Sequence, residues 1–243
     1  MINRVELKEN AKKAFKNNYW NSVLVSIIFA FFLGGTYSAS SKVTYNAADN
    51  KIDLNTSTTS ITTFIKENPE VFAIIVATLI GIIIVVSIIA TLFNTFISNP
   101  ISMGCRSFFL KNIDNPNTEV TEIKIGFTPN YMRNVIALFL KGLFIALWSL
   151  LFIIPGIIMG YAYTLTPYIL AEDPDIKPMD AIRKSKEMMK GHKMEAFILD
   201  LSFLGWILLS ALTLGLLFIF YVNPYMAAAE AQFYKEIKEA STY

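Results

Sequence analysis

Long apolar stretches with at most one charged residue each alternate with polar, lysine-containing segments along most of the chain. The stretches run from about Trp20 to Gly35, from Val71 to Ile97, from Val135 to Leu170 and from Ala196 to Met226. A membrane-crossing helix needs about 20 such residues. The first two stretches, of 16 and 27 residues, therefore predict one span each, and the last two, of 36 and 31 residues, predict two spans each. The pattern predicts an all-α polytopic membrane protein with six transmembrane helices.

Tight turns are predicted inside the two longest stretches, because Pro and Gly favour turns. One turn is expected at Pro155-Gly156, between spans of about Asn134 to Ile154 and Ile157 to Ala171, and the other at Thr213-Leu214-Gly215. Gly156 and Gly160 also form a small-xxx-small pattern, which lets helix backbones approach closely. That pattern is typical of packing within one chain and, alternatively, of a dimer interface.

Composition and charge agree with a membrane protein and give its orientation. Hydrophobic residues make up 54% of the chain and charged residues only 16%, against roughly 45–50% apolar residues in soluble domains. Cytoplasmic loops of membrane proteins are enriched in Lys and Arg, and 17 of the 21 Lys and Arg residues lie in four segments. Both termini are therefore predicted inside, with residues 36–70 as an extracytoplasmic Ser/Thr-rich loop. The four inside segments are 1–19, 99–134, 171–195 and 226–243.

Residues 1–19 predict an amphipathic helix at the membrane interface. Five basic residues accompany Leu7, Ala11, Ala14 and Phe15, which recur at helical spacing on one side. A basic segment before an apolar run is also typical of a cleaved signal peptide. We favour a retained helix, because this segment aligns with the openings of two later units.

Three prolines close a shared pattern of an aromatic residue, two spacers and Asn or Thr before Pro, at Pro100, Pro167 and Pro224. Lys12, Lys124 and Lys186 also align, followed at constant offsets by Phe15, Phe127 and Met189 and then by Trp20, Met132 and Met194. The sequence thus predicts one membrane domain over 1–243 that contains three hairpin pseudo-repeats, each preceded by a cytoplasmic interfacial amphipathic helix. The repeats are 1–112, 113–174 and 175–243.

Each proline frees the carbonyl four residues earlier, which belongs to Phe96, Tyr163 or Phe220. In a bilayer such carbonyls need partners from neighbouring helices, side chains or water. The polar residue before each proline is placed to help, and we expect the three kinks to converge on one cavity open to the cytoplasm. Those polar residues are Asn99, Thr166 and Asn223.

Lys141 and Asp200 are the charged residues predicted inside spans. Ionisable groups at such depth are costly and are often functional. They predict a structural pair, two interfacial charges or an ion relay. The candidate ligand-binding residues are Lys141 and Asp200, the three polar residues before the prolines, and Tyr168 and Tyr225.

The single cysteine, Cys105, is interpreted as a bystander thiol, and the single histidine, His192, as an interfacial side chain.

No catalytic or nucleotide motif occurs in the sequence, and no cofactor, metal or nucleic-acid partner is predicted. The carboxylates between Glu172 and Asp180 are interpreted as a loop and helix start, because no histidine joins them. Six basic residues between Lys177 and Lys193 could attract anionic lipid headgroups. Membrane lipids are the expected partners.

The chain resembles an uncharacterised bacterial integral membrane family known as domain of unknown function 975. The resemblance is carried by Asn3 to Lys8, Ile154-Pro155-Gly156, Tyr168 to Pro174, Ala181 to Gly191, Trp206, Pro224-Tyr225 and Phe233-Tyr234. The turn and the Ser-containing basic helix are also similar to the membrane domain attached to some glycerophosphodiester phosphodiesterases. These resemblances imply a bacterial cytoplasmic membrane protein and bring no catalytic residue with them.

We therefore expect a non-enzymatic protein that binds or transports a lipid or amphiphile, or maintains the cell envelope. The alternative is a scaffold or regulatory subunit of another membrane complex, which would have a membrane protein partner.

Overall fold

A computed structural model describes residues 4–37, 68–127, 130–213 and 215–241. Every regular element in these ranges is helical. The chain forms two compact units, one made of Met1–Tyr37 and Asn94–Tyr243 and the other of Ser38–Phe93. Most of the Ser/Thr-rich loop predicted at 36–70 lies outside the described residues.

The described α-helices are numbered here in chain order. Short 3₁₀ and π segments join some of them: a 3₁₀ helix at Val120–Gly126 and π-helices at Asn94–Ser98 and Phe218–Val222. The α-helices are α1 (Arg4–Asn17), α2 (Tyr19–Tyr37), α3 (Pro69–Phe93), α4 (Asn99–Asp114), α5 (Tyr131–Leu151), α6 (Ile153–Ala162), α7 (Thr166–Glu172), α8 (Pro178–Met188), α9 (Lys193–Leu201), α10 (Leu204–Leu212) and α11 (Asn223–Ala240).

Helix α4 lies at the centre of the larger unit. It packs against α1, α2, α5, α7, α11 and the 3₁₀ helix, and most of its side chains are buried. Phe108 and Phe109 contact each other edge to face with ring centroids 5.3 Å apart. The core is therefore built around a helix that follows the first of the three proline motifs.

The smaller unit contains α3 within its described residues. Its 25 residues include no buried side chain. The hydroxyl groups of α3 form hydrogen bonds within the helix. Those of Thr78, Ser87 and Thr91 donate to the carbonyls of Ile74, Ile83 and Ser87, respectively, at 2.7–2.8 Å. An apolar helix with no exposed unsatisfied hydroxyl suits a lipid environment.

The apolar face of α1 has a different neighbour from the one expected. Leu7, Ala11, Ala14 and Phe15 are buried, but the helix packs against α11 and α4. The position of α1 at the membrane interface stays a prediction, because an apolar stripe signals only that something apolar covers it. Here protein covers it, not lipid.

The second hairpin is not preceded by an amphipathic α-helix. Its opening is the seven-residue 3₁₀ helix Val120–Gly126, and Phe127, aligned with buried Phe15, is 40% exposed. This correction has a steric reason. The segment lies against α4, where Gly104 and Gly126 each bring main chain against main chain, and a 3₁₀ helix is narrower than an α-helix.

The first predicted tight turn lies three residues earlier than expected. Helix α5 ends at Leu151, Phe152 is extended with φ −157° and ψ 145°, and α6 begins at Ile153. Pro155-Gly156 therefore lies in the first turn of α6, where proline is well tolerated. Gly156 packs within the hairpin, because a Cβ there would lie 2.1 Å from Ser149 Oγ, whereas Gly160 has nothing within 4 Å of such a position.

The second predicted turn is confirmed at its described residues. Helix α10 ends at Leu212, and Gly215 has a φ of +84°, a conformation that glycine adopts without steric cost. The Gly215 N–H donates to the carbonyl of Ser210 at 2.9 Å. The turn thus closes the end of α10.

Four helical runs in the described residues are long and apolar enough to cross a membrane: Pro69–Asp114, Tyr131–Leu151, Ile153–Glu172 and Lys193–Leu212. The first predicted span falls in α2 (Tyr19–Tyr37), of which Tyr19–Ile28 is an apolar helical segment. The last predicted span contains the π-helix Phe218–Val222 and the start of α11. The chain is therefore all-helical in its described parts and has membrane-length helices.

Candidate functional site

The three proline motifs each begin a helix in the core. Asn99-Pro100, Thr166-Pro167 and Asn223-Pro224 are the first residues of α4, α7 and α11, and all three prolines are buried. A π-helix precedes α4 and α11, and a turn precedes α7. Since α4 packs against both α7 and α11, the three motifs belong to one core.

The carbonyls freed by the prolines have partners, as predicted. The Tyr131 hydroxyl donates to the carbonyl of Phe96 at 2.6 Å, and the Tyr19 hydroxyl donates to that of Phe220 at 3.3 Å. The carbonyl of Tyr163 accepts from the Thr166 N–H at 3.3 Å. Two of the three partners are thus tyrosines from other helices, not the polar residues beside the prolines.

Those polar residues and Tyr225 have other surroundings. The Asn223 amide donates to the carbonyl of Ser26 at 2.9 Å, and the Tyr225 hydroxyl to that of Lys8 at 3.3 Å. Thr166 is fully buried and its hydroxyl has no partner in the described structure, while Asn99 is half-buried. None of these four residues lines either of the two cavities described next.

The larger cavity is a groove of about 840 Å³ between α4, α5, α7 and α11. Its buried lining is mainly apolar but also contains the polar side chains of Ser107 and Asn134, and its more exposed lining includes charged residues. The first group includes Met103, Leu110 and Leu170, and the second includes Lys111, Asp114, Arg133, Glu172, Lys235 and Lys238. An amphiphile with a charged head presents the same two chemistries.

Ion pairs and hydrogen bonds hold the charged side of this groove. Lys238 Nζ lies 2.6 Å from Glu172 Oε2, and Lys235 pairs with Asp114. The Tyr234 hydroxyl donates to Glu172 at 2.6 Å. Burial, followed by this bond, raises the pKa of Tyr234 above its usual value, so the hydroxyl stays protonated and keeps donating. Glu172 therefore joins α7 to α11 at the groove.

Arg133 closes the groove at the C-terminal end of α7. Its guanidinium donates to the carbonyls of Asp173 at 2.7 Å and Leu170 at 3.0 Å. Such carbonyls at a helix end have no partner within the helix, and a cation there interacts favourably with the helix dipole. Arg133 therefore both caps α7 and contributes positive charge to the groove.

A second, smaller cavity of about 40 Å³ lies deeper in the bundle. Its polar lining comes from Tyr161, Thr164, Tyr168, Asp200 and Glu230. The Tyr161 hydroxyl donates to Asp200 Oδ2 at 2.9 Å. The ring of Tyr168 stacks on that of Tyr234, with centroids 5.1 Å apart and planes at 14°. This stacked pair lies between the small cavity and the Glu172 end of the groove.

Lys141 and Asp200 do not pair. No hydrogen bond or ion pair joins them, and both are among the described residues. The charged neighbours that influence Lys141 are Arg106 and Glu230. Asp200 lines the small cavity and Lys141 does not.

Cys105 and His192 lie apart from both cavities. Cys105 is fully buried, with its sulfur 3.8 Å from the carbonyl of Val25. His192 precedes α9, and its Nδ1 lies 2.7 Å from Glu195 Oε2.

Sequence reasoning missed several residues of these cavities. Sequence reasoning does not single out Tyr161 and Glu230 of the small cavity, or Arg106, which lines neither cavity but pairs with Glu230. Arg133, Lys235 and Lys238 enter the sequence analysis only as inside charges. A charge within an apolar helix was the signal available for Arg106. No pattern along the chain could show that residues of α4, α7 and α11 meet.

The described parts of the chain are all-helical and include four helices long and apolar enough to cross a membrane, which defines the class as helical membrane proteins. Within that class, residues 150–241 match a family described as "Protein of unknown function (DUF975)". The match confirms the family resemblance over that segment, while the resemblance carried by Asn3 to Lys8 lies outside it. No finding supports the more distant likeness to phosphodiesterase membrane domains. No curated protein and no solved structure matches the chain.

Proposed function

We propose that this protein is a non-enzymatic, multi-pass protein of the bacterial cytoplasmic membrane that binds an anionic lipid or amphiphile. The observation that carries the proposal is the groove of about 840 Å³, with a mainly apolar buried side and with four cationic and three anionic side chains around it. Small-molecule sites in proteins commonly have volumes of about 300–1,000 Å³. One headgroup with the first part of its acyl chains fits that range.

The charge pattern of the groove favours an anionic headgroup. Lys111, Lys235 and Lys238 pair with carboxylates, and Arg133 binds main-chain carbonyls. Exposed ion pairs are weak, about 0–1 kcal/mol each, so a phosphate can compete for the lysines at little cost. Arg133 continues to cap the C-terminal end of α7 and adds positive potential at the groove.

A double substitution tests this groove. Lys235→Gln with Lys238→Gln should weaken binding of a fluorescent phosphatidylglycerol about tenfold. Each basic residue near anionic lipid contributes about 1 kcal/mol, and the ion pairs of these two lysines with carboxylates reduce that contribution. The measurement is a fluorescence titration of the full chain in nonionic detergent. Phosphatidylcholine binding should change little.

The matched control is Lys12→Gln with Lys16→Gln, which removes the same charge from exposed positions of α1 that do not line the groove. It should leave the titration unchanged. Equal losses in the two double variants would mean that net charge, not the groove, attracts the lipid.

We further propose six spans with both termini inside, arranged as three pseudo-repeated hairpins. Tyr19 and Tyr131 are related by the offset that aligns Trp20 with Met132, and each donates to the freed carbonyl of another repeat's proline motif. This cyclic relation supports a repeat. The concentration of Lys and Arg in the predicted inside segments supports the orientation.

Single-cysteine labelling in intact cells tests this topology. In a Cys105→Ala background, Phe152→Cys marks the turn between α5 and α6, where the side chain is 71% exposed, and Lys184→Cys marks α8. A membrane-impermeant maleimide should label the first in intact cells and the second only after permeabilisation. The reverse pattern, or labelling of both in intact cells, would contradict the proposed orientation.

A scaffold or regulatory subunit is the second candidate function. It is favoured by α3, whose 25 residues bury no side chain and which could contact a helix of another protein. A protein that co-purifies in stoichiometric amount, and is lost when α3 carries polar substitutions, would support this alternative over lipid binding alone.

A further inference from the structure

The cavity of about 40 Å³ between α6, α7, α9 and α11 suits an ion better than a lipid. We propose that it binds one small monovalent alkali cation of the size of Na⁺, held by oxygen atoms of Asp200, Glu230, Tyr168 and Thr164. This site is separate from the groove, and the inference does not depend on lipid binding.

The size and oxygen content of the cavity carry the first step. A volume of this order holds one water-sized occupant. Hard cations are bound by carboxylate, carbonyl and hydroxyl oxygens. Tyr161 occupies only Oδ2 of Asp200, which leaves Oδ1 available as a ligand.

The second step rests on the hydroxyl of Tyr168. This side chain is 1% exposed, and its hydroxyl lies close enough to Arg106 and Glu230 to interact with both, yet it makes no hydrogen bond of normal geometry in the described structure. A buried hydroxyl without a partner costs free energy, and stacking on Tyr234 fixes the ring. A ligand in the cavity would satisfy this oxygen.

The break between α6 and α7 supplies the third step. Residues 163–165 form a turn in the described chain, and the Tyr168 and Ile169 N–H groups both donate to Leu165. The carbonyl of Thr164 consequently accepts no main-chain hydrogen bond in this part of the structure. Carbonyls at such breaks in membrane helices are common Na⁺ ligands.

Charge favours a cation over water. Arg106 lies 3.6 Å from Glu230, and together with Lys141 it offsets that carboxylate. Asp200 has no ion pair in the described structure, and the charged side chain that interacts with it electrostatically is Glu230. A cation shared by two neighbouring carboxylates reduces their repulsion, as an opposite charge does for any such pair.

Thermal unfolding of the full chain in detergent tests the site. Tm should rise in a saturable manner with NaCl when choline chloride keeps the ionic strength constant, because a ligand that binds the folded state stabilises it. Asp200→Asn should abolish this rise. Tyr168→Phe should raise the half-saturating Na⁺ concentration at least tenfold without lowering Tm in choline, since its hydroxyl makes no hydrogen bond of normal geometry within the described residues.

The matched control is Asp175→Asn, which removes an exposed carboxylate that does not line the cavity and should keep the full Na⁺ response. Tyr168→Phe decides the matter if Asp200→Asn does not fold. A Tm independent of Na⁺ in the unmodified chain, or an unchanged Na⁺ response in Tyr168→Phe, would overturn the proposal and leave the cavity as a water site.

Discussion

Replacing Gly104 by alanine is expected to lower stability by about 3 kcal/mol, the upper part of the usual range for overpacking, and to reduce the yield of folded protein sharply. A Cβ on Gly104 would lie 2.0 Å from the carbonyl oxygen of Ile123, 2.7 Å from its carbon and 2.8 Å from its Cα. All three are main-chain atoms, so no rotation of a side chain relieves the overlap. The measurement is denaturant or thermal unfolding in detergent, with the monodisperse fraction from size-exclusion chromatography.

The same contact can be tested from its other side and against a neutral glycine. A Cβ on Gly126 would lie 1.9 Å from the carbonyl oxygen of Pro100, so Gly126→Ala should have a similar effect. Gly142→Ala, within α5, meets nothing within 4 Å and should be neutral or stabilising by up to about 1 kcal/mol, because alanine favours a helix. Equal effects at Gly104 and Gly142 would contradict the close approach of α4 and the 3₁₀ helix.

Asn112→Ala is expected to destabilise the protein by about 2 kcal/mol, since leaving a buried polar group unsatisfied costs about 1–3 kcal/mol. Asn112 is 1% exposed, its amide donates to the carbonyl of Ala14 at 3.0 Å, and its oxygen accepts from Asn18 at 2.8 Å. The substitution removes both bonds between α4 and the end of α1. Equilibrium unfolding in detergent measures the loss.

Asn117→Ala provides the matched comparison for Asn112. Asn117 is exposed, and its main-chain N–H, which the substitution keeps, makes the bond to Asn115. We expect a change within about 0.5 kcal/mol, as for most surface positions. If the two variants unfolded alike, the Asn18–Asn112 network would have no part in joining α1 to α4.

Much of the helical structure could be predicted from the sequence because apolar length and proline position act locally. The turn at Thr213 to Gly215 was found in this way, as were carbonyls that need partners before each proline. The turn near Pro155 was misplaced, because proline also suits the first turn of a helix. A local pattern could not separate these two roles.

The packing partners of each helix could not be predicted, because they depend on contacts between distant parts of the chain. Leu7 and Phe15 form a helical stripe whether lipid or protein covers them, and in the structure α11 and α4 do so. The Lys238–Glu172 and Tyr161–Asp200 contacts join residues 66 and 39 positions apart. Lys141 and Asp200, the charges that sequence reasoning considered together, do not meet.

Native mass spectrometry of the full chain, released from nanodiscs of mixed phosphatidylglycerol and phosphatidylcholine, tests the lipid-binding groove most directly. We predict one anionic lipid retained per chain, in preference to the zwitterionic one, and lost from the Lys235→Gln, Lys238→Gln variant. A chain released without lipid, or one that retains the two lipids in the proportions of the nanodisc, would contradict the proposal that this groove binds an anionic amphiphile.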